Sequence, residues 1–392
     1  MSPTTSTRGT VVYVQYSNPH GYPPVRHSSH ILAEQGWRVR LVGLEQPGVL
    51  RPDAETHPNI TTHLEPSAGT GWLLRVAYLR FALRALATIA ASGRTWVYVS
   101  DPLAAPIGLA ASYLPGVRVV YHEHDAMDCA PSAFMRWVLR MRDRLLPRAE
   151  LVVVPNEARG ERLRQPIAAL VRMVCVYNCP RLSEVLDAPR PPADGPFWFV
   201  YQGNLGPLRL PLPVIEALAH TPPSVHLRVI GYEVPGQSGY VAEIEALAVR
   251  LGVRDRLDLT MAGPNRRVPS RADLIEAVRQ SDVGFSLVPM QGGNVNERHL
   301  VGASNKAFEC LAQGLPLLVS DVDEWNRTFV DRGLARACNP DVARSVAEAM
   351  TWFAEHADQT RSMGEAGRRL VTEHWNYDAQ FAAVAAHMSS GT

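Results

Sequence analysis

Residues 179–203 read CPRLSEVLDAPRPPADGP and then FWFVYQG, a proline-rich stretch that hands over to a strand-like apolar run. Before it, short β-branched runs alternate with helical stretches: VVYVQY (11–16), RVRLVGL (38–44), WVYVS (96–100), RVVYHEH (118–124) and LVVVPN (151–156). The first connection predicts a helix over His27–Gln35, closed by Gly36. After residue 203 the series resumes with HLRVIGY (226–232), RLDLTMAG (256–263), DVGFSLVP (282–289) and LPLLVSD (315–321), and Asp341–Met388 is helical by pattern. Strands separated by helices predict a parallel, doubly wound sheet. The proline-rich stretch between the two series reads as an interdomain linker. The fold class is therefore α/β, with two Rossmann-like domains, 1–180 and 197–370, joined by a linker over 181–196. At 392 residues the chain exceeds one ordinary core, which agrees with that division. Two such domains imply a cleft with ligands at the C-terminal ends of strands, and fold alone does not choose the chemistry.

Composition narrows the classes. The formal net charge is +1, so no global field recruits nucleic acid. Lys306 is the only lysine among 39 basic residues, which makes its position informative. Cys129, Cys175, Cys179, Cys310 and Cys338 are scattered, with no CxxC pair, so a disulfide or zinc framework is not expected and a cytoplasmic setting is. The start lacks the charged and long apolar regions of a signal peptide, and no apolar run reaches the roughly 18 residues of a membrane span.

The segment ASNKAFECLAQGLPLLVSD (303–321) carries the chemistry. The polar turn Ala303-Ser304-Asn305 opens a helix with Lys306 and Glu309 in its first turns, and Gly314 closes it. Free N–H groups and a nearby ammonium suit a diphosphate. Glu309, one turn further in, can accept hydrogen bonds from two neighbouring ribose hydroxyls.

This segment resembles the nucleotide-binding signature of the retaining GT-B family often called glycosyl transferases group one. The resemblance implies a GT-B fold, with two Rossmann-like domains facing across a cleft and a C-terminal helix, 371–392, crossing back to the first domain. Trp375 is the expected anchor of that crossing. The first domain would take the acceptor and the second the donor. By the same resemblance Glu309 would hold the ribose, with Ser304, Asn305, Lys306 and main-chain amides near the diphosphate. A second glutamate of the family pattern is Val301 here, and Glu297 is the nearby alternative. FVYQGNLGPLRLPLPVIEALA (199–219) resembles the loop that reaches the donor phosphates, through Gly203, Asn204 and Arg209. VIGYE (229–233) and the terminal HWNYDAQFAAVAAHM (374–388) also fit.

In the first half, SNPHGYPP (17–24) places His20, Gly21 and Tyr22 on a loop expected to face the acceptor, although the family's glycine-rich turn is represented only by Gly21. RVVYHEHDAMD (118–128) puts His122, His124 and Asp125 at a strand end, as catalytic candidates in which Asp125 orients an imidazole. The expected reaction moves a hexosyl unit from a nucleotide-diphosphate sugar to the hydroxyl of a small-molecule or glycan acceptor. No cofactor or metal is expected, because Arg209, Lys306 and a helix start supply the positive field. Asp321-Val322-Asp323 is formally a metal-binding DxD but reads as a strand-end turn. The alternatives are a sugar-nucleotide epimerase on the same scaffold and a non-catalytic nucleotide-sugar binder. An NAD-dependent oxidoreductase is disfavoured because no GxGxxG follows the first strand. Two basic stretches, WLLRVAYLRFALRALATIA (72–90) and FMRWVLRMRDRLLPR (134–148), raise peripheral contact with an anionic membrane beside the bland reading of arginine stems covering sheet-packed helices.

Overall fold

The computed structural model describes residues 8–45, 57–67, 72–127, 130, 132–165, 167, 171–190, 195–233, 238–263, 270–291 and 294–390. Residues 191–194 of the expected linker, together with Asp128 and Cys129, lie outside the described residues. The chain forms two compact units, one of Met1–Asn178 with Tyr377–Thr392 and one of Cys179–Asn376.

Unit one is built on seven parallel strands: β1 (Gly9–Gln15), β2 (Trp37–Leu44), β3 (Ile60–Glu65), β4 (Thr95–Ser100), β5 (Val117–His122), β6 (Leu151–Val154) and β7 (Met173–Cys175), in the order β3-β2-β1-β4-β5-β6-β7. Its central strands are apolar on both faces because both faces are covered. Val11 and Tyr13 pack on one side with Val25, Ile31 and Leu32 of helix Pro23–Glu34 and with Phe381, Val384 and Met388 of the last helix, Tyr377–Ser390. Val12 and Val14 pack on the other side with Phe81, Ala85 and Ile89 of helix Trp72–Ala90 and with Ile107 and Leu145. The helices start where polar residues cap them. Ser132 accepts from the Met135 amide at 3.1 Å and Asn156 from the Arg159 amide at 2.9 Å.

Unit two has six parallel strands: β8 (Phe197–Leu205), β9 (Val225–Glu233), β10 (Leu257–Ala262), β11 (Val283–Ser286), β12 (Leu317–Ser320) and β13 (Ala335–Cys338), ordered β10-β9-β8-β11-β12-β13. Phe199, Tyr201, Val229, Phe285 and Phe353 lie in its core. In each sheet the order reverses beside the first strand, between β1 and β4 and between β8 and β11, and such a switch point opens a crevice at the strands' C-terminal ends. Trp375 packs in unit two against Phe308 and Phe329, at the end of helix Ala357–Glu373, just before the chain returns to unit one at Tyr377.

The described part of the stretch 181–196 is fastened into unit two. Leu186 N–H donates to the Ala312 carbonyl at 2.9 Å, Gln313 Nε2 donates to the Glu184 carbonyl at 2.7 Å, and Arg190 pairs with Asp282 at 3.3 Å. The buried Val185 explains why a proline-rich segment docks here instead of running free.

Candidate functional site

At the end of β8 the backbone of Gly203 adopts φ 123°, and the side chain of Lys306 lies directly over it. A Cβ on Gly203 would stand 2.3 Å from Lys306 Cε and 2.5 Å from its Nζ. Gly203 is in turn pressed on its other side, because a Cβ on Gly231 of β9 would stand 1.8 Å from the Gly203 carbonyl oxygen. Only glycines allow this stacking of two strand ends under a lysine. Lys306 Nζ donates to Tyr201 Oη at 3.2 Å and sits 5.0 Å from the Tyr201 ring centroid, while Tyr201 Oη donates to the Asn204 carbonyl at 2.5 Å.

Burial, and then the charge of Arg209, push the Lys306 ammonium down to about 7, against the smaller opposing pull of Glu309. Neither Lys306 nor Arg209 has an ion-pair partner among the described residues. The ammonium over the glycine floor thus feels the repulsion of Arg209, an arrangement that a polyanion would relieve.

Glu309, on helix Lys306–Ala312, is buried and its carboxylate is largely committed. Oε1 accepts from Asn305 Nδ2 at 2.7 Å and from Arg271 Nη1, and Oε2 accepts from Gln202 Nε2 at 2.9 Å. Arg271, the first residue of helix Arg271–Arg279, also reaches Glu184 at 2.8 Å. A carboxylate offers about four acceptor positions, so Glu309 as it stands has room for one further donor, on Oε2. The second ribose hydroxyl expected from the sequence needs Asn305 to turn away. Asn305 points back at Glu309 and does not cap the helix. Ser304 is held through its amide by the Leu300 carbonyl at 2.9 Å. Val301 is buried, and Glu297 caps its own short helix by accepting from the Asn294 amide at 2.8 Å. Asp321 accepts from Asn326 Nδ2 at 2.7 Å, and Asp323 opens the turn Asp323–Trp325.

In unit one, His122 and His124 meet at the β5 end with ring centroids 3.9 Å apart. His122 Nδ1 lies 2.7 Å from Tyr98 Oη, and His124 Nε2 lies 2.8 Å from Ser100 Oγ, which donates to Gln15 Oε1 at 3.2 Å. Burial holds His122 well below its ordinary range. Burial, then the charge of Arg159, takes His124 down to about 3. Both rings are neutral at physiological pH, suited to hydrogen bonding and not to proton uptake. Asp125 does not orient an imidazole here. It is largely exposed and pairs with Arg159 at 3.6 Å, because that buried guanidinium is its nearest opposite charge, and Arg159 also donates to the His124 carbonyl at 2.6 Å. Glu123 turns away to Arg142 at 3.2 Å. On the loop after β1, the His20 amide donates to Asn18 Oδ1 at 3.0 Å, the Gly21 amide donates to the Asn18 carbonyl at 3.1 Å, and the Tyr22 ring lies 5.6 Å from that of His124.

Two family models match the chain: a Glycosyl transferase 4-like domain over residues 24–179 and a Glycosyl transferase-like domain over residues 214–386. The chain belongs to the group-one glycosyltransferases. Its fold is that of GT-B structures. HepE of Anabaena, solved in complex with UDP, superposes at a TM-score of 0.72 with 19% identity, covering 97% of this chain and 100% of that one. Sucrose-phosphate synthase of Thermosynechococcus elongatus gives 0.70 at 18% identity over 97% and 98%. A glycosyltransferase of Rickettsia africae gives 0.71 at 13% identity over 98% of each. At such identities the likeness concerns the fold. No curated protein sequence matches the chain.

Three features of this glycosyltransferase lay outside the sequence reading. Gln202 and Arg271 brace Glu309, and Arg271 sits 38 positions away in sequence with no local signal. Asp101 is the third. It is the only described non-glycine residue with positive φ, 68°, and its Oδ1 accepts from the His124 amide at 2.9 Å. Burial, then the neighbouring charge of Asp125, raise its carboxyl to about 8. An Asp-Pro pair at the end of β4, beside the switch point, was the available signal.

Proposed function

We propose that this glycosyltransferase takes a hexosyl unit from a nucleotide-diphosphate sugar and passes it to an acceptor hydroxyl with retention, unit two holding the donor and unit one the acceptor. The observation that carries the reading is Lys306 seated over the Gly203 floor within reach of the charge of Arg209, both cations without ion-pair partners among the described residues. A pyrophosphate beside the ammonium of Lys306 restores its charge. Glu309, braced by Arg271, faces the ribose through Oε2. The complexes of HepE with UDP and with UDP-glucose support a donor of this class.

As the bond from the anomeric carbon to the diphosphate oxygen breaks, negative charge grows on that oxygen, and Lys306 and Arg209 stabilise it where a divalent metal would otherwise act. The acceptor oxygen bonds to the same face of the anomeric carbon, and its proton passes to the leaving phosphate oxygen. The neutral His122 and His124 hydrogen-bond sugar or acceptor hydroxyls. A cytoplasmic setting belongs to the same proposal, and no disulfide joins the described cysteines. Unit one also carries the basic helices, the part of the molecule where a membrane contact is to be sought.

The test is a thermal-shift screen of the protein against nucleoside diphosphates and nucleotide sugars, with EDTA present, followed by transfer assays with the donor that binds. Wild type is expected to gain several degrees with one nucleotide class, and Lys306→Ala to lose that gain while its unliganded melting temperature stays within about a degree. A full gain in Lys306→Ala removes the proposed site.

A further inference from the structure

Helix Trp72–Ala90 is apolar on two opposite faces. Tyr78, Phe81, Ala85 and Ile89 are buried toward the sheet, whereas Val76, Leu79 and Leu83 form a stripe at i, i+3, i+7 that is 54%, 59% and 59% exposed. Leu73, three residues before Val76, extends the exposed stripe at the helix start. On its buried side the helix meets a second helix, Ala133–Leu145, through an aromatic cluster in which the Tyr78 ring lies 5.1 Å from Phe134 and 6.5 Å from Trp137. Trp137 is 41% exposed. The same two helices carry the exposed Arg75, Arg136, Arg140 and Arg144, none with an ion-pair partner among the described residues. Arg80 and Arg84 are engaged with Glu65, at 2.9 and 3.9 Å.

A contiguous exposed apolar stripe with a half-exposed tryptophan and a cationic rim marks a docking face. No described helix is long and apolar enough to cross a membrane, so the face can only lie along a surface. A second copy of the chain fits poorly, because a two-fold contact would bring the same four arginines against themselves. An anionic bilayer satisfies both features, taking leucine and tryptophan among its acyl chains and the guanidinium groups among its phosphates. We propose that the outer face of helix Trp72–Ala90, with Trp137 and the arginines of helix Ala133–Leu145, seats unit one on an anionic lipid surface.

Co-sedimentation with vesicles, run without nucleotide so that donor binding plays no part, tests this. Vesicles of roughly 2:1 phosphatidylcholine and phosphatidylglycerol should pull down wild type, and pure phosphatidylcholine should do so at least about tenfold less well. Leu79→Ser with Leu83→Ser should weaken partition at least about tenfold, and Arg136→Ser and Arg140→Ser about fivefold each, the arginine losses shrinking as salt rises. All four side chains are exposed, so melting temperatures should hold. Leu73→Ser with Val76→Ser provides a second apolar variant should the first misfold. Wild type that stays in the supernatant, or variants that sediment as wild type does, overturn the proposal. So does light scattering that finds a wild-type dimer broken by the leucine variants without vesicle binding, which would assign the face to a second copy.

Discussion

The ammonium of Lys306 occupies the space that a side chain at Gly203 would need: a Cβ there would stand 2.5 Å from Nζ. The only lysine of the chain and a strand-end glycine, about a hundred positions apart, therefore form one structural unit. Each explains the other, since the lysine can lie flat across the β8 end only because no Cβ is present.

Gly203→Ala is expected to push the lysine off its seat. The positive φ adds strain of about 1–2 kcal/mol. The nucleotide-sugar thermal shift should vanish, or fall to the level of Lys306→Ala. Gly333→Ala is the control, since it shares positive φ, 70°, but has no atom within 4 Å of the added Cβ. It should lose comparable stability and keep the donor response. Equal donor responses in both variants would detach Gly203 from the lysine's function.

The depressed Lys306 makes donor binding depend on pH in a definite direction. Its proton is lost as pH rises through about 7 in the free protein, and a bound pyrophosphate restores it. A nucleotide sugar has no phosphate group titrating near neutrality, so the lysine supplies the dependence. Affinity should fall as pH climbs above about 7, by at most about tenfold per pH unit, with uptake of up to one proton per donor bound. Lys306→Arg, whose guanidinium stays charged, should flatten the profile. Calorimetry in buffers of different ionisation enthalpy reads the proton directly, and an identical slope in Lys306→Arg would move the titration to another group.

The parts of this molecule that were legible in the sequence share a physical cause. Central strands such as β1, β4 and β8 are buried on both faces and so read as unbroken apolar runs, which fixed the two sheets. Of the strands missed, β3, β7 and β13 all lie at sheet edges. There only part of the strand is buried, and β3 is half exposed threonine and histidine, so periodicity carries little signal. The lysine and Glu309 were visible because a single short segment carries them. Arg271, Gln202 and Asp101 were not, because their roles arise from partners brought together by the sheet. Asp125 was assigned to an imidazole from adjacency alone, while the buried Arg159, on the helix after β6, takes it instead.

The Glu309 carboxylate shows what that hidden partner changes. On sequence grounds Glu309→Ala removes a ribose contact at little structural cost. In the fold it removes one of two counter-ions from a partly buried guanidinium whose pKa is raised by Glu309 and Glu184. With the arginine partly exposed and still paired with Glu184, the loss is on the order of 1–2 kcal/mol. Glu309→Ala is therefore expected to unfold several degrees earlier than wild type, unlike Lys306→Ala. The double variant with Arg271→Ala should recover part of the loss in a double-mutant cycle. A single variant that melts with wild type would show that Glu184 alone satisfies the arginine.

Asp101 gives the clearest pH signature in unit one. Its carboxyl is raised to about 8 by burial and then by Asp125, so the native state holds a proton that an unfolded chain releases near pH 4. The native state is thus favoured most below that ordinary value, and the advantage is lost as pH rises toward about 8. Asp101→Asn keeps an oxygen to accept from the His124 amide, 2.9 Å away, and has nothing to ionise. The stability of the variant relative to wild type should rise by roughly 4 kcal/mol between about pH 5 and about pH 9, read as a gap in melting temperature that widens with pH. The backbone here, φ 68° and ψ 163°, lies in a region that suits only glycine, so aspartate and asparagine carry similar strain, which does not change with pH and drops out of the comparison. A stability difference that stays constant between the two pH values would mean that Asp101 ionises as an ordinary surface carboxylate, and that the strained turn at the β4 end does not keep it neutral beside the two histidines.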